Sequence, residues 1–406
     1  MASVRMDHME NNILVGLLLS HLITYLQNTE EPETHDFYPL SSRVFEGQNR
    51  KLMIVCNNEG VLFIEAKANV KLKQLGDGLR PRFPFLEKLL ANVPGSDTIV
   101  GTPLLRFQVT RFICGGFSLG IFWNHTIADG AGLMQFLTAI CELAKGAAAL
   151  SVPPVWQREV LNARSPPKIT CVHNEYAQKT PSYTKNPPRN LVYPYNTFVL
   201  TSVFFGPKEI QALSNKLPTS SMFDLITACL WNCRTAALQP HPDDIVRISI
   251  LTNVRDPKFG LRMPRGYYGN AIAYPAAISK ANILCASPLS YGADLIRRAK
   301  LKLSKEYVKS VADLMVIKGR PKYVEAWNFI VSDFRSLGLD NIDFGWGNAR
   351  LGGIPWATPE ISVYGNYREN GEGEKGVVVP ICLPSMAMEK FQYEMKKMTI
   401  EPVSKI

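Results

Sequence analysis

The chain has 406 residues, 46% of them hydrophobic and 20% charged, and a formal net charge of +10. That composition excludes a disordered chain, and the length exceeds one ordinary core, so two or three domains are expected. The basic residues are scattered, apart from a run between Arg297 and Lys322 that reads as a solvated helix face, with an anionic-ligand rim as the alternative, and no nucleic-acid motif accompanies them, which argues against nucleic acid as a partner. In chain order, "ILVGLLLSHLITYL" (13–26) is apolar but shorter than the roughly 20 residues of a membrane span. It lacks the basic flank of a signal peptide and reads as a core helix. "RKLMIVCNNEGVLFIEAKA" (50–68) predicts a hairpin across Asn-Asn-Glu-Gly. "PLLRFQVTRF" and "GFSLGIFWNH" predict a second pair, turning through Ile113-Cys114-Gly115, and "LMQFLTAICELAKGA" has helical spacing.

From Ser151 to about Tyr195 prolines recur, which reads as a long crossover between two halves. Beyond it, "NTFVLTSVFFGP" predicts a strand and "PKEIQALSNKL" a helix with proline in its first turn. "SSMFDLITACLWNCRTAAL" predicts a longer helix capped by Ser220 or Ser221. "VRISILTNV" and "KGVVVPICLP" read as strands, and "ADLIRRAKLKLSKEYVKSVADLMV" as one amphipathic helix. The irregular mixture points to a mixed α/β chain and not a doubly wound sheet. Of the eight cysteines only Cys229 and Cys233 are close, at i,i+4 on a helix, and no histidine completes a metal set. Free thiols in a reducing, cytoplasmic setting are expected.

The stretch "GFSLGIFWNHTIADGAG" (116–132) holds two active-site spellings. Gly116 to Gly120 reads as G-x-S-x-G around Ser118, the elbow of a serine hydrolase. That elbow needs a sharp turn at the serine and a helix directly after it. Here strand-like alternation continues for five residues past Ser118, so its hydroxyl is expected to lie within a strand. His125 instead ends the strand and opens a loop, and with Asp129 it forms H-x-x-x-D. A base so presented can take the proton from an alcohol or amine attacking a thioester. Asp129 can fold the turn back or hold a distant arginine. Asp343-Phe344-Gly345 and Gly371 to Gly376 imitate kinase motifs, but their order is reversed. The glycine run leads into a strand, so it reads as a charged hairpin turn.

"NHTIADG" followed much later by "DFGWG" resembles the plant acyl-CoA-dependent BAHD acyltransferases. "YPLSSR", "PVWQREVLNARSPP", "GYYGNA", "SVADLMVIKGRP" and "VVVPICLPSMAMEKF" extend the likeness toward the alcohol acyltransferases that make volatile esters and benzoates. The resemblance implies two similar-sized chloramphenicol-acetyltransferase-like domains with a channel between them. Residues 1–185 would form one, joined by part of 348–380, and 186–406 the other. It implies His125 as general base, with Asp129 structural and paired to Arg255 in "TNVRD". Asp343, Gly345, Trp346 and Gly347 would be structural, away from the chemistry, and Asn253, Tyr268 and Asn270 would lie on the CoA side. It further implies a monomer that uses acyl-CoA as co-substrate with a small-molecule alcohol, and no permanently bound cofactor. Residues 1–37 depart from the family pattern, so a silent homologue that binds acyl-CoA or a partner is a second reading. A Ser118 hydrolase is a third.

Overall fold

The computed structural model describes residues 37–57, 59–75, 85–92, 98–176, 197–349, 352–354, 357–368 and 373–400. The apolar run 13–26 and the later part of the proline-rich crossover lie outside them. Among the described residues the first strands are a ribbon of β1 (Arg43–Glu46) and β2 (Leu52–Val55), paired antiparallel with Val44 opposite Ile54. Next come β3 (Leu62–Ala68), a single turn α1 (Leu86–Leu89), β4 (Leu105–Phe112), β5 (Phe117–Trp123) and α2 (Gly130–Ala144).

The hairpin expected over 50–68 is not formed. β2 turns back on β1, and β3 instead runs parallel to β4, from Leu62 opposite Arg106 to Ala68 opposite Phe112. β4 is buried on both faces, so both of its edges need partners. β3 covers one edge, and the antiparallel β5 covers the other, with Val109 opposite Leu119. The β4–β5 turn closes at Gly115, whose φ of +80° suits glycine.

After the crossover follow β6 (Phe198–Phe205), α3 (Pro207–Lys216), α4 (Met222–Leu238), β7 (Ile245–Asn253), β8 (Ile272–Ala273) and β9 (Ala276–Lys280). Then come α5 (Ala281–Ala286), α6 (Leu289–Leu301), α7 (Lys305–Ile317), β10 (Asn328–Asp333), β11 (Ile361–Arg368), β12 (Lys375–Pro384) and α8 (Ser385–Thr399). The single helix expected over 293–316 is two. The chain breaks at Leu303, which turns into an apolar cluster with Tyr307, and Ser304 restarts the helix by accepting from the Tyr307 N–H at 3.2 Å. Part of the basic run there is engaged internally: Lys309 donates to the carbonyls of Val160 and Asn162.

These strands form one seven-stranded sheet, ordered β6-β12-β11-β10-β7-β8 with β9 also on β7. It is mixed: β10 runs parallel to β7 and β11, while β12 is antiparallel to β11 and β6. The charged stretch before Lys375 does join two antiparallel strands, with Arg368 opposite Lys375, although Gly371 itself lies outside the described residues.

Among the described residues the two largest of four apolar clusters act as the main cores. The larger lies under the seven-stranded sheet. α4 runs through it and is buried nearly all round, with Trp231 1% exposed and Cys229 and Cys233 side by side at 0%. The smaller core is built by β4, β5 and α2, whose Met134, Leu137, Ile140 and Cys141 recur at helical spacing. Tyr268, Ile342, Phe344 and Ala349 join it from the second half of the chain. Within the stretch 348–380, Ala349 packs in the smaller core, while β11 pairs in parallel with β10 in the larger sheet.

Candidate active site

β5 ends at Trp123, and the next six residues form a turn made by their own side chains. Asn124 Oδ1 accepts from the Thr126 N–H at 3.1 Å and from its hydroxyl at 2.7 Å, while the Asn124 amide donates to Ile99 O at 2.8 Å. Ile127 and Ala128 then plunge into the smaller core, at 1% and 4% exposed. The side chain between these anchors, His125, faces solvent. Its ring lies 6.0 Å from that of Trp123, and among the described residues its imidazole has no hydrogen-bond partner.

Asp129 is the opposite case. It N-caps α2, accepting from the Gly132 N–H at 2.9 Å, and is 3% exposed. Arg255 forks onto it, with Nη1 to Oδ2 at 2.8 Å and Nη2 to Oδ1 at 2.9 Å, and the Ala271 N–H adds a fourth bond at 2.9 Å. A carboxylate offers about four acceptor directions, and all are taken, so none remains for His125. Arg255 is equally committed: its other donors reach Tyr267 O at 3.1 Å, Asn253 Oδ1 at 3.2 Å and Gly269 O. The glycines of "DGAG" are space requirements. A Cβ on Gly132 would fall 1.8 Å from Tyr268 O, and one on Gly130 2.9 Å from Phe334 Cζ.

Ser118 is fully buried in mid-strand opposite Thr110, and its Oγ has no hydrogen-bond partner among the described residues. This overturns the hydrolase reading, since a nucleophile must reach substrate. The second glycine of that spelling has a packing role: a Cβ on Gly120 would stand 2.6 Å from Leu89 O in α1. A different Ser–His–acid set does exist. Ser310 Oγ lies 2.8 Å from His173 Nε2, and His173 Nδ1 lies 3.1 Å from Glu175 Oε1, which also accepts from Tyr307 at 2.6 Å. All three members are buried, and Ser310 Oγ accepts from the N–H groups of Thr170 and Cys171 at 3.0 Å. Its lone pairs are occupied, so the set fastens the crossover to α7.

Asp343 to Gly347 form a tight loop on the smaller core. Asp343 Oδ1 accepts from the N–H groups of Gly345 and Gly347 at 2.8 and 2.9 Å, and both glycines hold φ near +100° (102° and 103°). Oδ2 pairs with Lys145 at the end of α2, at 2.9 Å, which holds the Asp343 carboxyl below its ordinary range. Phe344 is buried, and Trp346 meets Phe117 edge-on at 6.1 Å. The loop ties the second half of the chain to the far end of the helix that Asp129 begins.

Tyr268, expected on the CoA side, is instead a core residue. It is 1% exposed and packs on Phe37 and Trp156, and burial raises its phenol well above the ordinary range. Asn253 accepts from the Arg255 N–H at 3.0 Å and its guanidinium, and Asn270 donates to the carbonyls of His125 and Thr126. Asn270 is thus brought to the His125 turn, whereas Asn253 is linked to it only through Arg255. Sequence reasoning missed Asn124 and Arg158 there, and nothing in their spacing marked them. A shallow hollow open to solvent is lined by Phe334, Leu339, Val363 and Val378, with Arg335, Asp340 and Asn366 as polar edges.

A family model described as "Transferase family" matches residues 34–398. The chain belongs to that family, the BAHD acyltransferases. It is 49% identical over 376 residues to alcohol acyl transferase 1 allele GSa of Malus domestica, covering 90% of this chain and 80% of the relative. It is 52% identical over 374 residues to alcohol acyltransferase 17 of Actinidia deliciosa, with the same coverage. Vinorine synthase shares the fold at a TM-score of 0.69 and 19% identity, over 98% of this chain and 89% of that one. TRI101 of F. sporotrichioides, complexed with coenzyme A and T-2, does so at 0.74 and 14%, over 98% and 93%. As a member of this family the chain is an acyltransferase with a mixed α/β fold, and no helix among its described residues is long and apolar enough to cross a membrane.

Proposed function

We propose that this BAHD acyltransferase moves an acyl group from a CoA thioester to the hydroxyl of a small alcohol, directly and within a ternary complex. The observation that carries the reading is the contrast at one turn: Asp129 is buried and fully engaged, while the His125 imidazole is exposed and, among the described residues, without a hydrogen-bond partner. A neutral His125 nitrogen takes the alcohol proton as the oxygen bonds to the thioester carbonyl carbon. The tetrahedral intermediate collapses, the C–S bond breaks, and the imidazolium returns its proton to the departing thiolate. A thiolate leaves readily, so the enzyme needs no nucleophile of its own, in keeping with the burial of Ser118.

The names of the half-identical relatives support an alcohol as acceptor, and the coenzyme A bound in TRI101 supports the donor. Acyl-CoA is then a co-substrate, with no resident cofactor required. Two separate cores support a division into 1–185, joined by the loop around Asp343, and 186–406, with the substrates meeting in a channel between them.

The test is incubation of purified protein with acetyl-, benzoyl- and short branched acyl-CoAs against a mixed alcohol panel, read by mass spectrometry. Wild type forms esters and folded His125→Ala forms none. Turnover by the alanine variant at the wild-type rate would refute the base.

A further inference from the structure

Building on His125 as the base, we propose that Asn270 is a positioning residue for it, acting through the main chain of the turn that carries the imidazole. Asn270 Nδ2 donates to His125 O at 2.8 Å and to Thr126 O at 3.0 Å, across 145 residues of sequence. Both partners are carbonyls, so the amide must present its NH₂ to them, which settles its orientation. Among the described residues, this is the hydrogen bond that reaches residue 125 from outside its own turn. The imidazole has none of its own, and the acid of the motif is used up by Arg255, Gly132 and Ala271. Its place therefore follows from where the backbone of the turn is held.

Asn270 is itself fixed from both sides. Ala271 donates to Asp129 and accepts from the Val254 N–H at 2.9 Å, and Gly269 O accepts from Arg255. Against Gly269 lies Arg158, so close that a Cβ there would fall 2.0 Å from Nη1. The Arg158 guanidinium is stacked 3.8 Å over the Trp156 ring, with the Tyr268 ring centroid 5.3 Å away. Arg158 thus backs the bracket, and the bracket holds the base. An error of about 1 Å in a reacting group can cost on the order of 100-fold in rate, so a bracket on the main chain is enough to govern turnover.

The test compares wild type, Asn270→Asp and Asn270→Ala with acetyl-CoA and either 1-hexanol or benzyl alcohol. Asp is isosteric but sets a carboxylate against two carbonyls; Ala removes both donors without adding charge. Both variants are expected to lose about 10–100-fold in kcat per folded molecule, with KM for acetyl-CoA nearly unchanged. In Asn270→Asp alone, the added charge should move the acid limb of the pH profile upward. The His125 imidazole resonances, assigned by their loss in His125→Ala, should shift or broaden in both variants even where no probe turns over. Wild-type kcat with unchanged resonances overturns the proposal, as does a lowered Tm with unchanged kcat per folded molecule. Loss of turnover in His125→Ala beside a fully active Asn270→Ala sinks this proposal alone. A fully active His125→Ala sinks the base and the proposal together.

Discussion

Arg255 and Asp129 stand 126 residues apart in sequence and meet as a two-pronged ion pair at 2.8 and 2.9 Å. The pair joins the start of α2 to the segment after β7, and so pins the two halves of the chain at the turn that carries His125. Asp129→Asn leaves Arg255 without its counter-charge and turns an NH₂ or a lone oxygen toward donors. Removing one partner of a buried pair costs about 3–5 kcal/mol. Denaturant unfolding should show a loss of that order, with turnover falling in step with the folded fraction. Unchanged stability with abolished turnover would assign the carboxylate to the chemistry instead.

Ser118→Ala separates the hydrolase spelling from the fold. The hydroxyl is buried without a partner among the described residues, and leaving such a group unsatisfied costs roughly 1–3 kcal/mol. Alanine should therefore leave ester formation intact and hold or raise Tm, and a fluorophosphonate probe should not label wild type. A dead Ser118→Ala variant with a wild-type melting curve would reopen the nucleophile.

The loop at Asp343 makes a pH-dependent contribution. Lys145 and two glycine N–H groups depress the carboxyl's folded pKa below its unfolded value. A depressed acid stabilises above the unfolded pKa, and that contribution is lost as pH falls through the folded value. Asp343→Ala should thus lower Tm at neutral pH, by about 1–2 kcal/mol of stability. The gap to wild type should close in acid below roughly pH 4, the ordinary carboxylate range. Melting curves from pH 3 to 8 decide it; a constant gap would mean the loss is packing alone.

His173→Ala tests whether the second Ser–His–acid set is a fastener. It leaves Glu175 and Ser310 buried beside a cavity, so a loss of about 2–4 kcal/mol is expected. Turnover per folded molecule should be unaffected, and the crossover around Thr170 should become more open to proteolysis. Loss of turnover at wild-type stability would give the set a catalytic role.

The strand of Ser118 was legible because alternation at period two is a local property. So was the end of the strand at His125, since Asn, Thr, Asp and Gly change the backbone's preferences there. The helices from Gly130, Pro207 and Met222 carried their own caps and spacing. What misled was pairing. β2 and β3 looked like a hairpin because they are adjacent in sequence, yet the free edge of buried β4 decided where β3 went. Similarly, the amphipathic run 293–316 gave no sign that Leu303 would leave the helix for a neighbouring cluster.

The site divides the same way. Residue types and their order determined that an imidazole stands at a strand end beside a capping carboxylate, because both facts depend on a few consecutive residues. That Asp129 has no acceptor left, that Tyr268 fills the core, and that Asn270 grips the His125 carbonyl could not be read along the chain. These depend on which groups meet across more than a hundred residues, and only the packing of the two cores brings such groups within hydrogen-bond reach.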